Sequence, residues 1–363
     1  MADRTDPWRR IAAVAAALGA LAACSGDDGA AGDPEPGTST AAPATTTTVP
    51  ATEVGAAPSG GCGGATAPPP GESTVTTTSG GVERTYVRHV PPAHDGTTPV
   101  PVVVDFHGYA EGAAVHVLMS GLGPYGDEQG FVTITPQGLG AVPRWDVQTG
   151  SADLAFFGDL LAEIGRTLCV DTNRVYVTGL SNGAFMTSAV ACAYADRVAA
   201  VAPVAGIRAI EGCDPARAVP VVAFHGTADG FVTYDGSLGE AALDLPAPDG
   251  SGRTLRDLVE AGEVPPREAQ GPSVPETTAA WAERNGCAAG EPAEEQVASD
   301  VTRLAWDCPP GAEVVLYRVE GGGHSWPGSE FSRSIEAVIG PTTSSISANE
   351  EMWAFFEEHP LRP

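Results

Sequence analysis

Arg174-Val175-Tyr176-Val177-Thr178-Gly179-Leu180-Ser181-Asn182-Gly183-Ala184-Phe185-Met186-Thr187-Ser188-Ala189-Val190-Ala191-Cys192 is the stretch on which the reading of this chain turns. Residues 174–178 are a β-branched apolar run, the pattern of a buried strand, and residues 184–192 read as a helix. Between them stands the one Gly-x-Ser-x-Gly of the chain, and in this strand–turn–helix context it describes a nucleophile elbow. The turn is so tight that the serine is held in strained backbone, and only glycines fit on either side. The Ser181 hydroxyl is thereby presented at the top of a sheet, where a base can activate it to attack an acyl carbon.

Sheets that carry such an elbow place an acid and then a histidine later in the chain. Of the seven histidines, only His225, His324 and His359 follow Ser181. The apolar run Val219–Phe224 reads as a strand, and His225-Gly226-Thr227-Ala228-Asp229 leaves its C-terminal end. Asp229 is the expected acid, with Asp235 the alternative, and His225 comes too early to be the base. His359, in Glu357-Glu358-His359-Pro360, is expected to be a solvated residue at the tail of the last amphipathic helix. His324 lies in Gly321-Gly322-Gly323-His324-Ser325-Trp326-Pro327-Gly328, directly after the strand pattern Glu313–Val319. Glycines let that loop bring an imidazole back over the sheet edge, which makes His324 the expected base. In these roles His324 takes the Ser181 proton and later returns it to the leaving alcohol, while Asp229 fixes the tautomer.

An oxyanion needs backbone N–H donors. Asn182, next after the nucleophile, should supply one. The second should come from the loop after an early strand, here Val100–Phe106 followed by His107-Gly108-Tyr109, and Tyr109 is the candidate. The His107 side chain reads as a buried prop of that loop, or as a pocket residue. Trp326, beside the histidine, and Trp145, in Pro143-Arg144-Trp145-Asp146, are further pocket candidates or core aromatics.

The ends carry a different message. Arg9-Arg10 precede an apolar run, Ile11–Ala20, too short to span a bilayer, and then Leu21-Ala22-Ala23-Cys24. Residues 1–23 are the pattern of a signal peptide. Cys24 after small residues resembles a bacterial lipobox, so its lipidation, and anchorage to a cell membrane, is expected; plain secretion is the alternative. Residues 24–70, rich in Thr, Ala, Pro and Gly, read as a flexible tether, and 71–363 as one large α/β domain. Without Cys24 six cysteines remain, an even number suited to disulfides outside the cytosol. Favouring short loops, the expected pairs are Cys287–Cys308, Cys192–Cys213 and Cys62–Cys169. None has metal-ligand spacing, so no metal is expected. The net charge is −27, from 46 acidic against 19 basic residues, which excludes a nucleic-acid binder.

The rest of the chain alternates. Strand patterns cover Val82–Val90, Val100–Phe106, Phe131–Thr135, Arg174–Thr178, Ala199–Val204, Val219–Phe224 and Val314–Val319. An amphipathic helix covers Ser151–Cys169, with Leu154, Phe157, Leu160, Leu161 and Ile164 at helical spacing, and residues 349–358 form a closing helix. This implies a mostly parallel sheet with helices on both faces. The acidic, Pro- and Gly-rich stretch from Gly236 to Ser273 breaks the pattern between acid and histidine, as a lid or as a plain surface loop.

Several blocks carry a resemblance: Val104-Asp105-Phe106-His107-Gly108, Cys169 to Gly183, Val201-Ala202-Pro203-Val204-Ala205-Gly206, Phe224-His225-Gly226-Thr227-Ala228-Asp229, Trp281-Ala282-Glu283-Arg284-Asn285-Gly286-Cys287 and Gly322-Gly323-His324-Ser325-Trp326-Pro327-Gly328. Together they resemble the secreted polyhydroxybutyrate depolymerase and feruloyl esterase family of α/β-hydrolases. The resemblance implies an α/β-hydrolase fold, a serine carboxylic-ester hydrolase without a cofactor, and Ser181, Asp229 and His324 as its triad. It implies ester substrates: polyhydroxybutyrate-type oligomers or hydroxycinnamoyl esters of polysaccharide. Ala184 and Tyr109 depart from residues common in relatives, and no aromatic-rich polymer-binding domain follows; these count against crystalline polyester. A serine peptidase on the same fold and a non-catalytic binding lipoprotein are the alternatives.

Overall fold

In the computed structural model, residues 54–63, 67–264 and 271–362 are described. The signal peptide, Cys24 and the tether as far as residue 53 lie outside them. Residues 56–363 form the compact unit that carries the sheet and its helices.

Strands and helices run in the order β1 (Gly71–Ser79), β2 (Val82–Val90), β3 (Val100–Phe106), α1 (Ala113–Ser120), α2 (Leu122–Gln129), β4 (Val132–Pro136), α3 (Ala152–Thr167), β5 (Val170–Leu180), α4 (Asn182–Ala193), β6 (Ala200–Val204) and β7 (Val221–Gly226). A 3₁₀ turn (Glu240–Asp244), α5 (Leu255–Glu260), α6 (Val274–Arg284), β8 (Ala293–Ala298), β9 (Val301–Ala305), β10 (Val314–Val319), α7 (Glu330–Ser334), α8 (Glu336–Ile339) and α9 (Ala348–Glu358) follow. The strands form one sheet in the order β1-β2-β4-β3-β5-β6-β7-β10-β9-β8. The six central strands, β4 to β10, are parallel. The outer pairs are antiparallel. This is the expected mostly parallel α/β architecture, with β1 and the β8–β9 hairpin added at its edges.

The central strands are buried on both faces, as their continuous Val/Ile/Ala runs require. On one face Val102, Val104, Val177, Val201 and Leu316 join Phe157 and Leu160 of α3, Met186 of α4 and Trp281 of α6 in one cluster. On the other face Tyr176 stacks on Phe356 of α9, with ring centroids 4.5 Å apart, and meets Trp353 edge-on. The helix α3 buries all five residues picked out by its periodicity, and Ser151 caps it by accepting from the Leu154 N–H. It stops where Leu168 turns extended and Cys169 leads into β5.

Register aligns the strand ends. Phe106 pairs with Gly179, Leu180 with Val204, Val204 with Phe224, and Val319 with Gly226. The loops after β3, β5, β7 and β10 therefore leave one edge of the sheet together.

All three expected disulfides are present, Cys62–Cys169, Cys192–Cys213 and Cys287–Cys308. The first lies in the stretch read as tether. There the Ala57 N–H donates to Asp171 Oδ1 at 2.8 Å, and Ser59 Oγ donates to the Leu168 carbonyl at 2.7 Å. The compact unit thus starts at Ala56 rather than at residue 71. A Ser/Gly/Pro-rich composition does not reveal docking that rests on main-chain pairing and one disulfide.

Candidate active site

The elbow forms as its sequence requires. Ser181 stands between β5 and α4 with φ 58° and ψ −117°. A non-glycine residue held there costs about 1–3 kcal/mol of strain. A Cβ on Gly183 would lie 2.0 Å from the Phe106 carbonyl oxygen, and one on Gly179 would lie 2.6 Å from the same atom. The two glycines are what lets β3 and the turn approach this closely. The Ser181 N–H donates to the Val204 carbonyl at 2.9 Å, which pins the turn to β6.

The loop after β3 lies directly against the serine: a Cβ on Gly108 would be 3.7 Å from Ser181 Cβ. Its amides are mostly committed. The Gly108 N–H donates to Glu111 Oε2 at 2.6 Å, Ala110 N–H to Pro143 O at 2.8 Å and Glu111 N–H to Gly108 O at 3.3 Å. No acceptor among the described residues takes the Tyr109 N–H or the Asn182 N–H. The Asn182 side chain has a separate task. Its Oδ1 accepts from the Trp145 N–H at 2.7 Å and its Nδ2 donates to the Trp145 carbonyl at 3.2 Å, clasping the loop after β4.

Asp229 and His324 are brought together. His324 Nδ1 donates to Asp229 Oδ2 at 2.7 Å, with both residues buried. Asp229 Oδ1 accepts from the Phe231 and Val232 N–H groups at 2.8 and 3.0 Å, so the carboxylate is held by its own loop. The His324 ring packs on Phe231, and its N–H donates to Ile339 O. With Nδ1 engaged by the acid, Nε2 is the basic nitrogen. His225 closes the far side. Its Nε2 donates to Val232 O at 2.8 Å and lies 3.4 Å from Asp229 Oδ2, while burial pushes its pKa down. Asp235, the alternative acid, instead accepts from Thr233 Oγ1 and Ser237 at its own turn.

His107, Trp145 and Trp326 take the buried one of their two expected readings and are not pocket residues: they are 0, 3 and 1% exposed and each has its polar atoms engaged by protein. His107 Nδ1 donates to Gly108 O, and its Nε2 accepts from the Gly138 N–H. Trp145 Nε1 donates to His107 O, and Trp326 Nε1 donates to Asn349 Oδ1. They support the loops from beneath. His359 is buried rather than solvated, with Nδ1 on Phe355 O and Nε2 on Glu313. The insertion leans on the loops after β3 and β4: Tyr109 Oη donates to Pro246 O at 2.8 Å and Arg144 Nη1 to Pro248 O at 3.0 Å. Its described part is a docked cap rather than a free surface loop.

One cluster escaped the sequence reading. Asp105 and His116 lie buried beneath the β3 loop and the partly buried Glu111 joins them, with His116 Nε2 donating to Asp105 Oδ1 at 2.7 Å and Nδ1 to Glu111 Oε2 at 3.1 Å. The available signal was an acid inside the apolar run Val102-Val103-Val104-Asp105-Phe106, which cannot be buried without a partner.

No family model matches the chain. Feruloyl esterase C of Emericella nidulans is 31% identical over 199 residues, covering 52% of this chain and 68% of the relative. Poly(3-hydroxyalkanoate) depolymerase C of Paucimonas lemoignei is 32% identical over 128 residues, covering 33% of this chain and 30% of the relative. Of several other esterase relatives the chain spans only 20 to 63% of their own length. Among solved structures, acetyl xylan esterase from Aspergillus awamori superposes with a TM-score of 0.52 at 14% identity, over 79% of this chain and 99% of that one, which places the fold. With an elbow, a bonded Asp–His pair and this sequence kinship on one sheet edge, the chain belongs to the α/β-hydrolase family of feruloyl esterases and poly(3-hydroxyalkanoate) depolymerases.

Proposed function

We propose that this protein is an exported serine carboxylic-ester hydrolase, with Ser181 as nucleophile, His324 as general base and acid, and Asp229 as the orienting carboxylate. The observation that carries it is the 2.7 Å His324–Asp229 hydrogen bond, on the same sheet edge as a serine held at φ 58°. Ser181 Oγ attacks the ester carbon as its proton passes to His324 Nε2. The Asn182 and Tyr109 N–H groups receive the resulting oxyanion, and each donor of this kind is worth on the order of 10²–10³ in rate. The C–O bond to the alcohol then breaks, the alkoxide takes the proton from His324, and water resolves the acyl-enzyme by the same steps.

The relatives' names point to two substrate classes, feruloyl esters and hydroxyalkanoate oligomers. The cap formed by 236–264 narrows the approach over Tyr109 and Arg144, which suits short or chain-end esters better than a crystalline surface. Export is supported by the disulfide pairs, and Cys24 is the proposed lipid-bearing residue that holds the enzyme at a cell surface.

The deciding assay is product release from methyl ferulate and from short 3-hydroxybutyrate oligomers side by side, with Ser181→Ala as blank. Hydrolysis of one class, lost by on the order of 10⁶ in the alanine variant, is the expected result. Activity that survives in Ser181→Ala removes the proposal. Activity on neither substrate favours a binding protein.

A further inference from the structure

The Asp105–His116–Glu111 cluster, buried at its aspartate and histidine, has no part in the proton transfers above, yet it ends on the backbone that faces the nucleophile. Asp105 belongs to β3, the strand that carries the loop, and His116 to α1, which follows it. His116 is wholly buried and donates from both ring nitrogens to carboxylates, which requires an imidazolium. Burial alone would push His116 down, but the Asp105 and Glu111 carboxylates outweigh it and hold the pKa up at about 10. Burial likewise works to raise Glu111, and His116 prevails and lowers it. Glu111 is therefore an ionised acceptor fixed in place from below.

That acceptor takes the Gly108 N–H at 2.6 Å. With the Ala110 and Glu111 amides turned to Pro143 O and Gly108 O, the turn leaves the Tyr109 amide without a protein acceptor among the described residues. Ala110 holds φ at 61°, a conformation few non-glycine residues keep without such bracing. The other side of the cluster touches the histidine loop, where Trp326 packs edge-on to the His116 ring with centroids 5.8 Å apart.

We infer that Glu111, seated on His116 and Asp105, is a positioning residue for the oxyanion site: by holding the Gly108 amide it aims the Tyr109 N–H at the developing oxyanion. The inference rests on the esterase reading. Its consequence is specific, because a misaimed donor weakens the transition state more than substrate binding.

The test compares an oxygen ester with the matching thionoester, whose sulfur is a poor partner for N–H donors. The parent enzyme is expected to prefer the oxygen ester strongly. In Glu111→Ala, kcat on the oxygen ester falls by about 10²–10³ with KM within about threefold, and the oxygen-to-sulfur rate ratio collapses with it. Glu111→Gln keeps an acceptor for the Gly108 N–H and restores that ratio to within about threefold of the parent. A purely structural role lowers both substrates together. An unchanged ratio in Glu111→Ala, or a glutamine variant no better than the alanine one, overturns the inference. If the alanine variant does not fold, Glu111→Asp, which withdraws the carboxylate by one methylene, is read the same way. Ser181→Ala run alongside separates this failure from failure of the esterase reading: turnover that persists there condemns the latter.

Discussion

Three non-glycine residues hold positive φ among the described residues, Ala110, Ser181 and Ala205. All three stand on loops that leave the C-terminal edge of the parallel strands, so the backbone strain of the fold gathers where the chemistry is proposed. Two buried histidines at that edge set opposite pH limits on stability. Burial pushes His107 down from 6.5 to about 4, since protonation would cost Nε2 its bond from the Gly138 N–H. Between those values the unfolded chain binds the proton and the folded chain does not. Stability from this group is complete above 6.5 and falls by about 3 kcal/mol as the pH drops to 4. His116 has the other sign. Its pKa is raised to about 10, so its contribution is complete below 6.5 and is lost as the pH rises toward 10. Calorimetric Tm is therefore expected to peak near neutrality, and His107→Gln should flatten the acid limb. An acid limb unchanged in that variant would show that carboxylates alone set it.

At the scale of elements, the nucleophile helix differs from its neighbours. Ser151, Thr254, Ser273, Ser329 and Ser347 each cap a helix by accepting an N–H, whereas Ser181 at the head of α4 does not. The first amides of α4 and its dipole are thereby left toward the reaction. The helix is buried nearly all round, and its far end is tied by Cys192–Cys213 to the loop after β6. A loop closed over 21 residues contributes about 3 kcal/mol by chain entropy. A Cys192→Ser, Cys213→Ser double variant should lose about that much in urea denaturation. A loss below about 1 kcal/mol would mean that packing of Met186, Val190 and Ile207 alone holds this end. Elements differ in legibility for the same reason. The central strands announce themselves because burial on both faces demands unbroken apolar runs. The outer strands do not: β1 is Gly-Glu-Ser-Thr-Val-Thr-Thr-Thr-Ser, and β8 is acidic and exposed. Main-chain pairing at a sheet edge, not apolar patterning, makes them strands.

For the whole molecule, the described N-terminal segment joins the hydrolase unit rather than standing apart. Ala57 and Ser59 pair along the start of β5, and Cys62–Cys169 closes 107 residues, worth about 4–5 kcal/mol in the chain-entropy account. A chain starting at residue 71 should therefore melt about 10 °C below one starting at 54. Equal Tm values would make the segment an ornament. The sequence by itself determined the fold class, the elbow and the order of serine, acid and histidine, because local pattern and chain order dictate these, whereas the pairing of the six cysteines was settled by which of them the fold brings together. Only the tertiary structure decided that Asp229 rather than Asp235 meets His324, since both follow the same strand and only loop closure tells them apart. It likewise decided between the two readings of His107, Trp145 and Trp326 in favour of the foundations of the site, and joined Glu111 to the buried Asp105 and His116 in one cluster. Residues eleven apart in the chain share a cluster only when a strand, a turn and a helix fold back on each other, and no local period records that.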